Sequence, residues 1–144
     1  STGAPPPHTL SLLRNCSAAL LPSVASRLQE VLALKVMPTY AMTESMPIAS
    51  HPRYKACDLR SVGFASGPMV RVLDDNGEPC AIEQEGEVCV RGSCVTRGYE
   101  DREHMKADPN IAAFHTLKNV QGEEERWLRK GRAVAIACFH WLGL

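Results

Sequence analysis

At 144 residues, with 44% hydrophobic and 22% charged side chains, the chain has the make-up of a globular protein and enough length for one ordinary core. Lys plus Arg number 16 and Asp plus Glu number 16, so a net charge of zero argues against a nucleic-acid or anionic-membrane partner. No apolar run approaches the roughly 20 residues that span a bilayer, and a start at Ser1 without a leader pattern reads as an internal piece of something larger.

In chain order, residues 1–9 carry Gly3 and the run Pro5 to Pro7, a loop signature. Leu10 to Cys16 is a short strand candidate. Pro22 then suits the first turn of a helix, where its missing N–H costs nothing. Val24, Leu28, Val31 and Leu32 recur at three- and four-residue spacing and predict one apolar helix face. Val36-Met37-Pro38 returns as a strand that Pro38 is expected to end. Strand, helix and strand in this order predict an α/β unit of a parallel sheet, with its ligand crevice at the strand ends.

After residue 60 the texture changes. Met69 to Leu73 alternates, and Asp74-Asp75-Asn76-Gly77 is a turn signal in which Asn-Gly favours the primed hairpin turn. Glu87 to Arg91 alternates again before Gly92 breaks it. An antiparallel, β-barrel-like subdomain is therefore expected. Asp101 to Ala113 has weak helical character, with Pro109 marking a turn within it. The predicted organisation is a loop at 1–9, an α/β subdomain at 10–60, the barrel-like part at 61–114 and an irregular tail at 115–144.

The six cysteines (Cys16, Cys57, Cys80, Cys89, Cys94, Cys138) form no Cys-x-x-Cys pair, and no closely spaced histidine pair accompanies them. We read them as reduced, structural thiols, with Cys89 a small buried hydrophobe between Val88 and Val90. The histidines are scattered; His51 lies close enough to the segment considered next to approach a substrate, and is read as a surface side chain.

That segment is Pro38-Thr39-Tyr40-Ala41-Met42-Thr43-Glu44. Upstream stands Asn15-Cys16-Ser17-Ala18-Ala19-Leu20-Leu21-Pro22; downstream come Ser61-Val62-Gly63 and then Gly86 through Gly98-Tyr99. In this order the four pieces resemble the adenylate-forming superfamily of acyl-CoA synthetases, 4-coumarate and oxalate CoA ligases and luciferases, over roughly residues 10 to 129. The resemblance implies that Tyr40 stacks on adenine, Thr43 bonds the α-phosphate and Glu44 helps hold Mg²⁺. Ser17, Ala18 and Ala19 would form the opposite wall of the nucleotide pocket, and Thr39, Ala41 and Met42 complete the loop. It also implies ATP as substrate, CoA as the thiol acceptor and a small carboxylic acid as the group activated; no partner protein is inferable. Taken alone, Thr43-Glu44 reads equally as a helix N-cap, and the Gly86–Tyr99 stretch as structural, with Tyr99 packed in the core.

Departures from the family pattern are also legible. Ala41 stands where the family has glycine, a strain of roughly 1 kcal/mol if that position needs positive φ. Leu59-Arg60 replace a Pro-Gly turn. Where the family runs Arg-Thr-Gly-Asp, this chain has Arg129-Lys130-Gly131-Arg132, and a cation cannot accept the ribose hydroxyls as a carboxylate does. The phosphate loop and the lid lysine are missing, so we expect the isolated chain to be inactive or nearly so; the alternative is a non-catalytic nucleotide-binding or regulatory module derived from the family. After Arg129 acidic residues vanish and Ala133 to Phe139 is almost unbroken apolar sequence. We read this tail as frameshifted or mis-spliced; its rivals are an apolar strand completing the barrel and a short interfacial anchor.

Overall fold

The structure, a computed structural model, describes residues 7–100 and 108–134, with side chains through Arg129. Its elements run β1 (Leu12–Asn15), α1 (Pro22–Leu32), β2 (Lys35–Met42), β3 (Ser45–Ser50), β4 (Phe64–Ala65), β5 (Met69–Leu73), β6 (Glu85–Arg91), α2 (Pro109–Ala113), β7 (Phe114–Lys118) and β8 (Glu124–Val134). They build two sheets of four strands, ordered β1-β2-β3-β4 and β5-β6-β8-β7.

The first sheet is mixed. β1 and β2 pair in parallel from Leu12↔Lys35 to Asn15↔Pro38, with α1 as the crossover. Pro38 ends that parallel ladder but not the strand. From Thr39 onward β2 changes partner and runs antiparallel to β3, so the missing N–H of proline falls at the exchange. Helix α1 has Pro22 in its first turn and stops at Ala33, whose φ of 49° is left-handed. Its buried face differs from the expected one. Ala25 is fully buried and packs with Leu28, Leu32, Leu34 and Val36, whereas Val24 and Val31 are 45% and 41% exposed. A methyl side chain at Ala25 lets the helix backbone approach the sheet, which reading by hydrophobic bulk overlooks.

The second sheet is wholly antiparallel and open. Among the described residues no ladder joins β5 to β7, although both edges line one cleft of about 670 Å³ with Val70, Leu73, Ile82, Leu117 and Val120 on its walls. The barrel-like expectation is corrected accordingly: four strands are too few to close around a packed interior. The stretch from residue 115, expected to be irregular, instead begins with the hairpin β7–β8, which supplies the sheet's third and fourth strands; residues 135–144 lie outside the described residues.

Both hairpin loops share one construction. Asp74 N donates to Glu78 O (2.8 Å) and Gly77 N to Asp74 O (3.0 Å), while Asp74 Oδ1 accepts from the amides of Asn76 and Glu78. Asn119 repeats every one of these contacts with Gln121, Gly122 and Glu123. Only the glycine is left-handed in each, with φ of 83° at Gly77 and 82° at Gly122. The expected two-residue primed turn would need Asn76 there as well. A three-residue loop with a glycine bulge forms because the Asp74 or Asn119 side chain ties down the turn's amides. Pro109 opens α2 rather than interrupting a helix, with Asp108 Oδ1 capping Asn110 N at 2.8 Å; residues 101–107 of the expected helical stretch lie outside the described residues.

One core joins the sheets. Val70, Val72, Val88, Val90 and Leu128 from the second sheet pack against Met42 and Ile48 at the end of the first. On the opposite face Leu73, Cys89 and Trp127 are buried, with the Arg71 guanidinium 4.6 Å above the indole centroid. Among the described residues no helix is long and apolar enough to cross a membrane.

Candidate functional site

The register of β1 and β2 sets the site's layout. Because the parallel pair ends at Asn15↔Pro38, the loop holding Ser17, Ala18 and Ala19 and the run from Thr39 to Glu44 leave the same end of the pair. This is the carboxyl edge at which open α/β sheets hold ligands. Ser17, Ala18 and Ala19 are all exposed there, and Ser17 takes a φ of 76°.

Thr39 to Met42 form the second half of β2, and Thr43-Glu44 make the turn into β3 that Met42↔Ser45 closes. No helix follows, so the N-cap reading of Thr43-Glu44 does not hold. A hairpin wins because Ser45, Ile48 and Ala49 supply a buried strand immediately after the turn. Ala41 sits in the bulge between Tyr40 and Met42 and is absent from the left-handed residues, so alanine there carries no backbone strain. Tyr40 is half-buried against the shared core, and burial pushes its phenol pKa up. Thr43 is exposed at the tip.

Two residues that sequence reasoning missed, Arg14 and Ser50, hold this edge together. Arg14 Nη2 donates to Ser50 Oγ at 3.0 Å, and Ser50 Oγ lies 3.3 Å from Thr39 Oγ1. An arginine on a short parallel strand is the one signal that pointed here. His51 is buried rather than on the surface, and its Nε2 donates to the Ser61 carbonyl at 3.0 Å. The Ser61 hydroxyl accepts from Gly63 N at 3.0 Å, and Gly63 rests so close on β3 that a Cβ would lie 2.4 Å from the Ser50 carbonyl carbon. Ser61-Val62-Gly63 is thus the clasp that fixes the end of β3. Upstream, Asp58 builds the turn at Leu59-Arg60, accepting from Arg60 N at 3.0 Å.

Glu44 is held from the loop that follows β6. Its carbonyl accepts from Thr96 N at 2.8 Å, and its carboxylate Oε1 accepts from Tyr99 Oη at 2.8 Å. Tyr99, expected inside the core, is 41% exposed and lies across the turn. The hydrogen bond to Glu44 and, second to it, burial raise its pKa.

Two donor sets, one oxygen-rich and one mixed, face a possible cation. Thr43 and Glu44 present a hydroxyl and a carboxylate on an accessible turn, the hard donors that suit Mg²⁺. Glu87, Cys89 and His115 also converge, with ligand atoms within 4.8 Å of one another. There the fit fails. Arg129 Nε contacts both Glu87 oxygens at 2.9 Å, placing a fixed cation on the carboxylate. Burial, aided by the nearby Glu87 charge, pushes the Cys89 thiol up to about 12. No disulfide joins two of the described cysteines; Cys89 packs as a small hydrophobe, while Cys16 and Cys94 are exposed.

Known proteins resemble this chain in sequence and in fold. Residues 3–100 match the model of the AMP-binding enzyme family. The chain is 38% identical over 111 residues to an oxalate–CoA ligase of Arabidopsis thaliana, covering 74% of this chain and 22% of that protein. To an oxalate–CoA ligase of Saccharomyces cerevisiae it is 37% identical over 98 residues, covering 66% of this chain and 18% of that one. It therefore spans about a fifth of the length of such relatives. A long-chain-fatty-acid–CoA ligase from Archaeoglobus fulgidus superposes with a TM-score of 0.72 at 19% identity, over 91% of this chain and 27% of the other, a likeness of fold.

Proposed function

The chain belongs to the AMP-binding enzyme family, whose chemistry is ATP-dependent, and on that premise we propose that it is a segment of an AMP-forming acid–CoA ligase whose β2–β3 turn keeps the contacts to Mg²⁺ and ATP. The observation carrying this reading is that Tyr40, near the end of β2, and Thr43 and Glu44, in the turn that follows it, lie at the strand edge where the Ser17–Ala19 loop also emerges. In the complete enzyme an oxygen of the substrate carboxylate attacks the α-phosphorus, the bond to pyrophosphate breaks, and a thiol, that of CoA, later displaces AMP. Tyr40 offers a half-buried aromatic face for adenine. Thr43 offers a hydroxyl donor to the α-phosphate, and Glu44 an oxygen ligand for the metal. Bound Mg²⁺ supplies positive charge to the phosphate oxygens as negative charge develops.

We propose further that this chain by itself binds without catalysing. Arg132 stands where the family carries the ribose-binding aspartate, and the phosphate loop and lid lysine are not among its residues. Isothermal titration with ATP and Mg²⁺ tests the binding. Micromolar affinity, lost in Tyr40→Ala and in Glu44→Ala, is the expected result; heat unchanged by both substitutions overturns the assignment. Pyrophosphate release with a panel of acids is expected to stay at background, and robust acyl-adenylate synthesis overturns the second claim.

A further inference from the structure

We propose that Tyr99 is a positioning residue for the Glu44 carboxylate, held in place by an Asn110 clamp; this rests on the reading of Glu44 as the metal-holding carboxylate. The Gly-Tyr pair closes a motif that composition alone explains as a bend and a core aromatic, and the structure assigns it a different job. Tyr99 Oη reaches Glu44 Oε1 at 2.8 Å across 55 residues of chain. A neutral donor thereby holds one oxygen of the carboxylate in a fixed direction without neutralising its charge.

The phenol is aimed by its own backbone. Asn110 Oδ1 accepts from Tyr99 N at 2.7 Å, and Asn110 Nδ2 donates to Tyr99 O at 3.0 Å, so a single amide grips both polar groups of the Tyr99 main chain. Asn110 is itself anchored to the α2 cap, its Nδ2 donating to Asp108 Oδ1 at 3.0 Å. Gly98 makes this grip possible: a Cβ there would stand 2.6 Å from Asn110 Oδ1, well inside contact distance. Nearby, Thr96 N donates to Glu44 O and Ser45 bridges to Val95, so the whole segment preceding Tyr99 is stitched to the turn. Gly98, Tyr99 and Asn110 thus form one device, which carries the helix α2 position through to the carboxylate. Residues that fix a ligating carboxylate typically alter metal affinity about 10–100-fold when removed.

The test uses the full chain with ¹³C-labelled tyrosine rings, whose three signals arise from Tyr40, Tyr54 and Tyr99, and Mn²⁺ as a paramagnetic probe. Glu44→Gln is expected to move the Tyr99 signal and leave the exposed Tyr54 where it is. Mn²⁺ is expected to broaden Tyr99 saturably in the wild type, and Tyr99→Phe or Asn110→Ala to weaken Mn²⁺ affinity about tenfold, while unchanged signals of the core-packed Tyr40 in the metal-free variants report an intact fold. If Glu44→Gln leaves the Tyr99 signal unmoved, or both substitutions leave Mn²⁺ affinity unchanged, the positioning role is overturned. If the Tyr99 signal moves in Glu44→Gln but Mn²⁺ broadens nothing, the contact stands and the metal reading of Glu44 falls.

Discussion

Replacing Gly63 with alanine probes the clasp that fixes the end of β3, and the structure gives the size of the effect. Gly63 has a φ of 89°, which costs an L-residue about 1–2 kcal/mol. The new Cβ would also meet backbone at 2.4–2.5 Å, on the Ser50 carbonyl and the His51 amide, with no flexible side chain to yield. Overpacking of that kind costs roughly 1–3 kcal/mol more, so the sum is about 2–5 kcal/mol. Gly122 is the control, because its φ of 82° is nearly the same and nothing lies within 4 Å of its added Cβ. Gly122→Ala should therefore carry only the dihedral cost. Urea melts of the two variants, followed by circular dichroism, should separate by about 1–3 kcal/mol. Relief by releasing the two-residue β4 is the cheapest escape, and it would expose Ser66 N, which donates to Ile48 O at 2.9 Å. Hydrogen exchange at Ser66 reads that escape directly. Equal destabilisation in both variants, with Ser66 still protected in Gly63→Ala, would refute the clasp.

Other outcomes follow from single contacts. Trp127→Ala empties the most voluminous fully buried site and removes the partner of Arg71; it should cost about 3–5 kcal/mol in denaturant melts. Ser45 Oγ is fully buried without a hydrogen-bond partner among the described residues, so Ser45→Ala should raise stability by about 1 kcal/mol, and a loss would reveal a partner. Burial alone would raise the Glu87 pKa, but the hydrogen bonds from Arg129 and His115 outweigh it and hold the carboxyl below its usual range. A folded-state value below the unfolded one contributes stability above the unfolded pKa and loses it as pH falls through the folded value. Wild type should therefore lose stability on acidification through that window, and Glu87→Gln should show a flatter acid limb in pH-dependent melts.

Local order was readable where local signals agreed. Pro22 and the apolar spacing marked α1, and alternation marked β5 and β6. Partner exchange was not readable: β2 keeps one strand through Pro38 only because β1 and β3 lie on opposite sides of it. The β7–β8 hairpin has the same alternation and loop construction as its neighbour, but Glu123-Glu124-Glu125 and the apolar run after Arg132 drew attention to composition instead of register. At the site, Tyr40, Thr43 and Glu44 stood out because they fall within one run of five residues. Tyr99, Ser50 and Arg14 escaped because their roles depend on contacts 11 to 55 residues apart. His51 misled because a histidine between serine and proline looks exposed, while its ring is satisfied by a carbonyl ten residues on.

The central claim is that the run from Thr39 to Glu44 contacts a nucleotide. Photolabelling the full chain with 8-azido-ATP and Mg²⁺, then mapping tryptic peptides, asks this of the turn itself. Label concentrated in the peptide spanning residues 36–53, competed away by ATP and lost in Tyr40→Ala, is the result expected. Label spread over other peptides, or undiminished by excess ATP, would contradict it.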